Sequence, residues 1–346
     1  MVAVSVILPV FNGAKHLDET LSSISAQTFE NFEVLCVDDC SSDGSDEIVF
    51  RHARRDPRFR YFHTGSNLGM ASKAANFVAK KATGTWFVYS SQDDLFSIDW
   101  LEKMHSRAVE TGADAVLPEV EFYYENAKST RRISGYHGDH TARLTGHEAF
   151  KASLDWTIPG NALWPIRFLK EKGFCDFGAF ADEYSVRTFF LACQEVVFCT
   201  GTFFYRQDNS NAVTKKAGPA LLDEGYNNFM IWRLIVENGF DPAVHSQFAL
   251  RTLRSVIRAR SLIIRTPSLA NECPRIKMVW KEMQTEQFRS SLKQGALKVS
   301  NPLFRWHYLL AHLSFSWFLV AAYLSASMVR FKKRFLSNTP ALPGNA

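Results

Sequence analysis

The sequence is poor in the features that mark several common protein classes. Its six cysteines, at positions 36, 40, 175, 193, 199 and 273, form no Cys-x-x-Cys pair and no repeated spacing. Several sit inside apolar runs, where a reduced thiol packs as a small hydrophobe, so a zinc site is not expected. No Gly-x-Gly-x-x-Gly follows a strand-like run, which speaks against a dinucleotide-dependent oxidoreductase. The segment Val10-Phe11-Asn12-Gly13-Ala14-Lys15 also lacks the glycine-rich phosphate loop that a sugar nucleotidyltransferase would place after its first strand. The formal net charge is only +5 and is spread along the chain until its end, so no nucleic-acid footprint is present. The sequence starts on a strand-like run with no basic leader, and the expectation is no signal peptide and a cytosolic catalytic part.

What is present is a set of apolar runs that end in acids. Trp86-Phe87-Val88-Tyr89-Ser90-Ser91-Gln92-Asp93-Asp94 is about strand length and closes on two carboxylates. Phe32-Glu33-Val34-Leu35-Cys36-Val37 closes on Asp38-Asp39. Val4-Ser5-Val6-Ile7-Leu8-Pro9-Val10 is a third such run and closes on the turn signal Phe11-Asn12-Gly13. Leu17, Leu21, Ile24 and Ser25 then recur at helical spacing, giving strand, helix, strand with short joints. That order predicts an α/β fold with a mostly parallel, Rossmann-like sheet flanked by helices. Such sheets bind ligands at the carboxyl ends of their strands, and paired carboxylates there repel unless a cation or polar ligand holds them. A solvated Asp-Asp turn is the plainer reading of either pair alone. A response-regulator receiver also gathers acids at strand ends, but it is much shorter than 346 residues.

Taken in order, Val4 to Asn12, Val37-Asp38-Asp39 with Ser41 and Asp43-Gly44-Ser45, Asn67-Leu68-Gly69, and Gly84 to Asp94 resemble the family 2 inverting glycosyltransferases, non-processive and of bacterial polysaccharide type. The likeness covers about the first two thirds of the chain and implies a GT-A fold. It also implies that Asp39 accepts a hydrogen bond from a pyrimidine ring nitrogen, which favours uracil or thymine over cytosine. By the same resemblance the backbone at Pro9, Val10 and Phe11 lines the base pocket, Asp93 faces the ribose, and Asp94 binds a divalent metal, Mn2+ or Mg2+. Asn67 and Gly69 belong to the turn before a helix lining the donor site. An arginine usual in the family is replaced here by Ala74, leaving Lys73 beside it as a point charge for phosphate. Ser91 stands where the family often has a third acid. Read without the resemblance, Asp39 is also compatible with a helix N-cap or an Asx turn.

Transfer from a nucleotide diphosphate sugar needs a carboxylate to deprotonate the attacking hydroxyl. Phe180-Ala181-Asp182-Glu183-Tyr184, with Arg187 behind it, resembles the family's motif for that base; Asp182 is the first choice and Glu183 the close alternative. Tyr205-Arg206-Gln207-Asp208-Asn209, with Ser210 and Thr214, resembles the loop that folds over bound donor, which makes Arg206 a donor-binding candidate. A histidine often found near the position of Asp208 is missing. Of the aromatics Tyr123, Tyr124, Trp156 and Trp164, one is expected to stack on a sugar. Pro302 stands where the processive synthases' Gln-x-x-Arg-Trp signature begins, so processivity is not expected.

The expected organisation is a GT-A domain at 1–218, with a nucleotide-sugar half at 1–115 and an acceptor half at 116–218. A helical extension follows at 219–300, and an amphipathic or membrane-associated helix with a basic tail at 301–336. Arginines 251, 254, 258 and 260 of the helical extension read as a solvated helix face, with an anionic membrane or a lipid pyrophosphate as the alternative partner. The apolar stretch Trp306–Val329, followed by Arg330-Phe331-Lys332-Lys333-Arg334, is long enough to span a bilayer, but His307, His312 and several serines interrupt it. A helix lying in the interface of an anionic membrane fits these features better than a span, with a core helix as the third reading. The whole predicts a metal-dependent, inverting transferase at the inner face of the plasma membrane. It would move one sugar from a nucleotide diphosphate donor, UDP first, to a lipid-linked glycan of surface polysaccharide or lipopolysaccharide synthesis. The alternatives are a catalytically degenerate transferase acting as a membrane-bound assembly partner, and a sugar nucleotidyltransferase.

Overall fold

Apolar β-rich runs hidden on both faces set the centre of the molecule. In a computed structural model, which describes residues 2–126, 131–210, 218–311 and 313–337, the strands β1 (Val4–Val10) and β2 (Phe32–Asp38) are buried along their whole length. They pair in parallel in the order β3 (Phe59–His63), β2, β1, β4 (Trp86–Tyr89), with the short β8 (Trp164–Pro165) antiparallel at the β4 edge. The order 3-2-1-4 puts a topological switch between β1 and β4, where the carboxyl strand ends open a crevice. Helices α1 (Ala14–Ser25), α2 (Ser45–Arg55) and α3 (Ala71–Val78) make the crossovers. After α3 the chain tightens into a 3-10 turn at Ala79–Lys81.

A second sheet runs β5 (Leu95–Phe96), β9 (Val196–Arg206), β6 (Ala115–Tyr123), β7 (Arg132–Ile133), with β6 and β9 parallel and the two edges antiparallel. Around it lie α4 (Trp100–Thr111), α5 (Gly146–Ser153) and α6 (Ala181–Ala192). Asp99 precedes α4 without capping it: its carboxylate accepts the Ser97 hydroxyl, and the Leu101 N–H donates to the buried Gln27 amide oxygen. The parallel sheet also has a polar strut. Glu33, buried mid-strand, accepts from Ser5 Oγ at 2.8 Å, from the backbone and hydroxyl of Thr83, and from Arg60. Gly84 makes this possible, because a Cβ there would stand 2.7 Å from the Ser5 backbone nitrogen.

Residues 1–177 and 181–210 form one compact unit and residues 178–180 and 211–346 another. The second is helical: α7 (Asp223–Glu237), α8 (Pro242–Arg265), α9 (Cys273–Glu282), α10 (Glu286–Leu297), α11 (Pro302–Ala311) and α12 (Phe315–Ser337). Phe229, Trp232 and Phe288 stack in its core. The α8 arginines are engaged within this unit: Arg258 pairs with Glu224, Arg254 lies over the Tyr308 ring, and Arg251 lies over Phe248. On α12, Phe318, Ala321, Ala322 and Ala326 are buried, whereas Trp317, Val320, Tyr323 and Leu324 are exposed. Among the described residues no helix is long and apolar enough to cross a membrane.

Candidate active site

The ends of β1 and β2 are sewn together by side chains from the Asp38–Ser45 stretch. Asp39 N–H donates to Val10 O at 2.8 Å. Gly13 starts α1 and has no side chain to cap it, so the first N–H groups of the helix find partners elsewhere: Gly13 N–H on Ser45 Oγ and Ala14 N–H on Asp43 Oδ2. Asn12, at φ 47, donates its N–H to Ser41 and accepts the Ser42 N–H on its side chain. Ser41, Asp43 and Ser45 therefore shape the turn that presents Pro9, Val10 and Phe11. Gln92 completes it by clasping both sides of the Phe11 backbone, accepting its N–H at 2.8 Å and donating to its carbonyl at 3.0 Å. The Phe11 ring is 46% exposed above this clasp.

Asp38 faces inward, taking the Ser41 N–H and the Tyr61 hydroxyl. Asp39 is buried as well, and its carboxylate accepts from Leu68 N–H at 2.8 Å, Gly69 N–H at 3.2 Å and Thr64 Oγ1 at 2.9 Å. Asn67 closes the loop by donating to Asp39 O. Gly69 takes φ +76, a conformation that side-chain-bearing residues rarely adopt. A carboxylate offers about four acceptor positions, so one remains on Asp39 for a ring N–H. Lys73, in the first turn of α3, has no ion-pair partner among the described residues.

Beyond β4, the Asp93 side chain accepts from Ser91 Oγ and from Asn209 Nδ2. Asp94 is almost fully buried. One of its oxygens accepts the Arg206 N–H at 2.9 Å, and no described residue donates to the other. Burial first, and the neighbouring Asp93 charge second, hold its carboxyl well above the usual carboxylate range. Arg206 is sealed beneath the acids. Its guanidinium donates to Asp93 O at 2.7 Å, pairs with Glu19, and lies over the Tyr123 ring. It is placed to hold the Asp93-Asp94 turn, not to reach outward to a phosphate.

Asp182 and Glu183 open α6, and their surroundings differ. Glu183 is paired with Arg187, whose guanidinium also binds the carbonyls of Glu183 and Ser153. Burial and the Glu183 charge push the Asp182 carboxyl from 3.8 to about 7. All four acids lie within electrostatic reach of Tyr205. The Tyr205 phenol is pushed up to about 12 by burial and then by Asp94, Asp93, Glu183 and Asp182 in turn. Asp182 also raises Tyr89, after burial. Glu19, Thr64 and Gln92 carried no sequence signal, since a polar residue on a helix or turn reads as solvated until the fold supplies its partner. Of the four aromatics, Trp164 is core, packed among Phe168, Phe189 and Phe190. Thr214 lies outside the described residues.

The pattern described as Glycosyl transferase family 2 matches residues 5–177, half of the 346-residue chain. The chain belongs to that family. The protein named glycosyltransferase GlyG from Streptococcus pneumoniae is 26% identical over 230 residues, 61% of this chain and 73% of GlyG. An uncharacterised glycosyltransferase of Haemophilus influenzae is 35% identical over 103 residues, which are 30% of this chain and 41% of that protein. Among solved structures, S. aureus TarS 1–349 is similar at TM-score 0.64 with 17% identity, covering 95% of this chain and 92% of its own, and TarS has been crystallised with UDP-GlcNAc and with UDP. These comparisons make the protein a glycosyltransferase and its α/β unit a GT-A fold.

A divalent ion suits the family, and the residues here fit one in a limited way. Among the described residues no three His, Cys, Asp or Glu side chains converge on a metal site. Asp94, buried and with one oxygen that no described residue donates to, suits a lone protein ligand to an ion whose other ligands come from a diphosphate.

Proposed function

We propose that this glycosyltransferase moves one sugar, with inversion, from a UDP-linked donor to a lipid-linked or surface glycan. The observation that carries the proposal is the buried Asp94 beyond β4, with one oxygen that no described residue donates to and that suits a cation. Asp182, at the start of α6 and held near neutrality by burial and the Glu183 charge, is poised for proton transfer. Two neighbours' ligands support the donor and metal: TarS with UDP-GlcNAc, and the mannosyltransferase PcManGT with GDP-Man and Mn2+. The similar Bacillus subtilis protein TuaG, named as a putative teichuronic acid biosynthesis glycosyltransferase, supports the polysaccharide acceptor.

In this reading Asp39 accepts the uracil ring N–H, the Pro9–Phe11 backbone flanks the base, and Asn67 and Gly69 keep Asp39 in place. Asp93 faces the ribose and Lys73 meets a phosphate. Held by Asp94, Mn2+ or Mg2+ would neutralise charge on the departing diphosphate. Asp182 takes the proton of the acceptor hydroxyl as that oxygen bonds to the anomeric carbon; the bond from that carbon to the diphosphate breaks, and the nucleoside diphosphate leaves with its electron pair. Because the hydroxyl attacks the face of the anomeric carbon opposite the departing diphosphate in one displacement, configuration inverts. Calorimetry of the wild type should show UDP binding with manganese and none without it, followed by turnover of one UDP-sugar in a donor panel. Failure to bind UDP, dTDP or GDP would leave the assembly-partner reading in its place.

We also infer that the exposed face of α11 and α12 lies on an anionic membrane at the inner face of the plasma membrane. Trp306 and Tyr323, 63% and 60% exposed, supply amphipathic rings for the headgroup level. The chain should co-sediment with phosphatidylglycerol vesicles and much less with phosphatidylcholine ones. A Trp306→Ser/Trp317→Ser/Tyr323→Ser variant should bind about tenfold more weakly; unchanged sedimentation would remove this part of the proposal.

A further inference from the structure

Backbone strain in this molecule gathers at two places. Among the described residues four non-glycine positions take positive φ: Asn12 and Cys40 at the strand ends of the donor edge, and His137 and Trp156. The last two border a cavity of about 360 Å³ lined by Arg131, Arg132, Ser134, His137 and Thr157, the residue after Trp156. Strained residues persist only where their surroundings over-determine them, and here they do. Glu119, buried beneath the cavity, accepts from Arg132, from Ser134 Oγ at 2.7 Å and from His140 Nε2 at 2.8 Å. Tyr136 and Asp139 exchange backbone hydrogen bonds across the loop. Gly135 must be glycine, since its φ is +52 and a Cβ would stand 2.4 Å from Asp139 O. The result is an open, arginine-lined hollow on a loop held by these buried hydrogen bonds.

The walls are rich in donors. Two arginines and a histidine line the hollow, while the Ser134 and Thr157 hydroxyls donate to Glu119 and Asp155, and Glu121 faces Arg132 at 4.0 Å. The Arg131 guanidinium also lies over the Phe122 ring, which fixes its direction. Forked guanidiniums match carboxylate and phosphate oxygens. The place along the strand is equally informative. Arg132 stands opposite Glu121, two residues from Tyr123, and Tyr123 lies under the Arg206 that holds the Asp93-Asp94 turn. Two residues of strand are about 7 Å, so one extended glycan could reach both the acids and the cavity.

We propose that this cavity is a subsite for an anionic group of the acceptor glycan, a carboxylate or a phosphate, held by Arg131 and Arg132 beside Ser134, His137 and Thr157. The proposal rests on the transferase reading for the word acceptor, but not for binding. It is tested on the full chain with three probes, a hyaluronan hexasaccharide, a glycerol phosphate hexamer and maltohexaose, and with UDP plus manganese in parallel. One acidic probe should bind the wild type and maltohexaose should not, and which acid binds identifies the group. Arg131→Glu should weaken that probe about tenfold or more, with UDP binding unchanged. Arg132→Gln, which keeps a hydrogen-bond donor for Glu119, should weaken it less. Equal binding of the neutral probe, acid binding unmoved in both variants, or loss of UDP binding together with the acid would each overturn the subsite. No probe binding while UDP binds would overturn it and leave the donor assignment standing. Acid binding without UDP binding would do the reverse.

Discussion

Replacing Asp94 with asparagine is expected to lower transfer by about a thousandfold or more and to remove manganese-dependent UDP binding, with the fold retained. Size and burial are kept, and the amide oxygen can still accept the Arg206 N–H, so the change is one of charge alone. Without that charge the diphosphate loses the only described carboxylate placed to share an ion with it, and the negative charge that develops on departure goes unanswered. The stability effect should run the other way. A carboxyl held above its ordinary range in the folded state favours folding when protonated and loses that advantage as pH rises. The asparagine variant, measured without metal, should therefore melt no lower than wild type at neutral pH, and manganese should raise the melting temperature of wild type with UDP but not that of the variant. Wild-type turnover in the variant would move the metal assignment elsewhere.

The features legible in the sequence were those written in local pattern. Runs such as Val4–Val10 and Phe32–Val37 are buried on both faces and so are apolar throughout, and the acids that end the second of them, with Asp93-Asp94, were legible as a candidate edge. The order of the motifs pointed to the family. What sequence could not supply was which acid is compensated. Asp38 and Asp39 look alike in the chain, yet Asp38 is closed off by Ser41 and Tyr61 while Asp39 is oriented by a turn 28 to 30 residues away. Arg206 reads in the sequence as a donor-binding residue of a closing loop. It is buried because Glu19, 187 residues earlier, and the Asp93 carbonyl meet it there. Gln92 carries no motif, but its amide fixes Phe11 across 81 residues. In each case the partner is distant in sequence, so no local window contains the pair that decides the role.

The same contrast separates Asp182 from Glu183, which the sequence left as alternatives. Arg187, one helical turn on, is paired with Glu183, whereas Asp182 has burial and a like charge against it. Asp182→Asn is expected to reduce kcat by about a hundredfold to ten-thousandfold while UDP binding stays near wild type. Glu183→Gln should cost far less chemistry, and its loss should appear with destabilisation from an unpaired Arg187. In the wild type kcat/KM should rise with pH and level off above about 7, because only ionised Asp182 can accept the hydroxyl proton. The linkage sign is opposite for stability: the unfolded carboxyl ionises near 3.8 and the folded one near 7, so ionisation weakens the fold progressively between those values. The asparagine variant should thus melt above wild type, by a margin that opens as pH rises from about 4 and is complete above about 7. A variant that is inactive yet more stable at alkaline pH is the signature of a carboxylate kept for chemistry at the expense of the fold. A flat activity profile with equal melting points would assign the base to another residue.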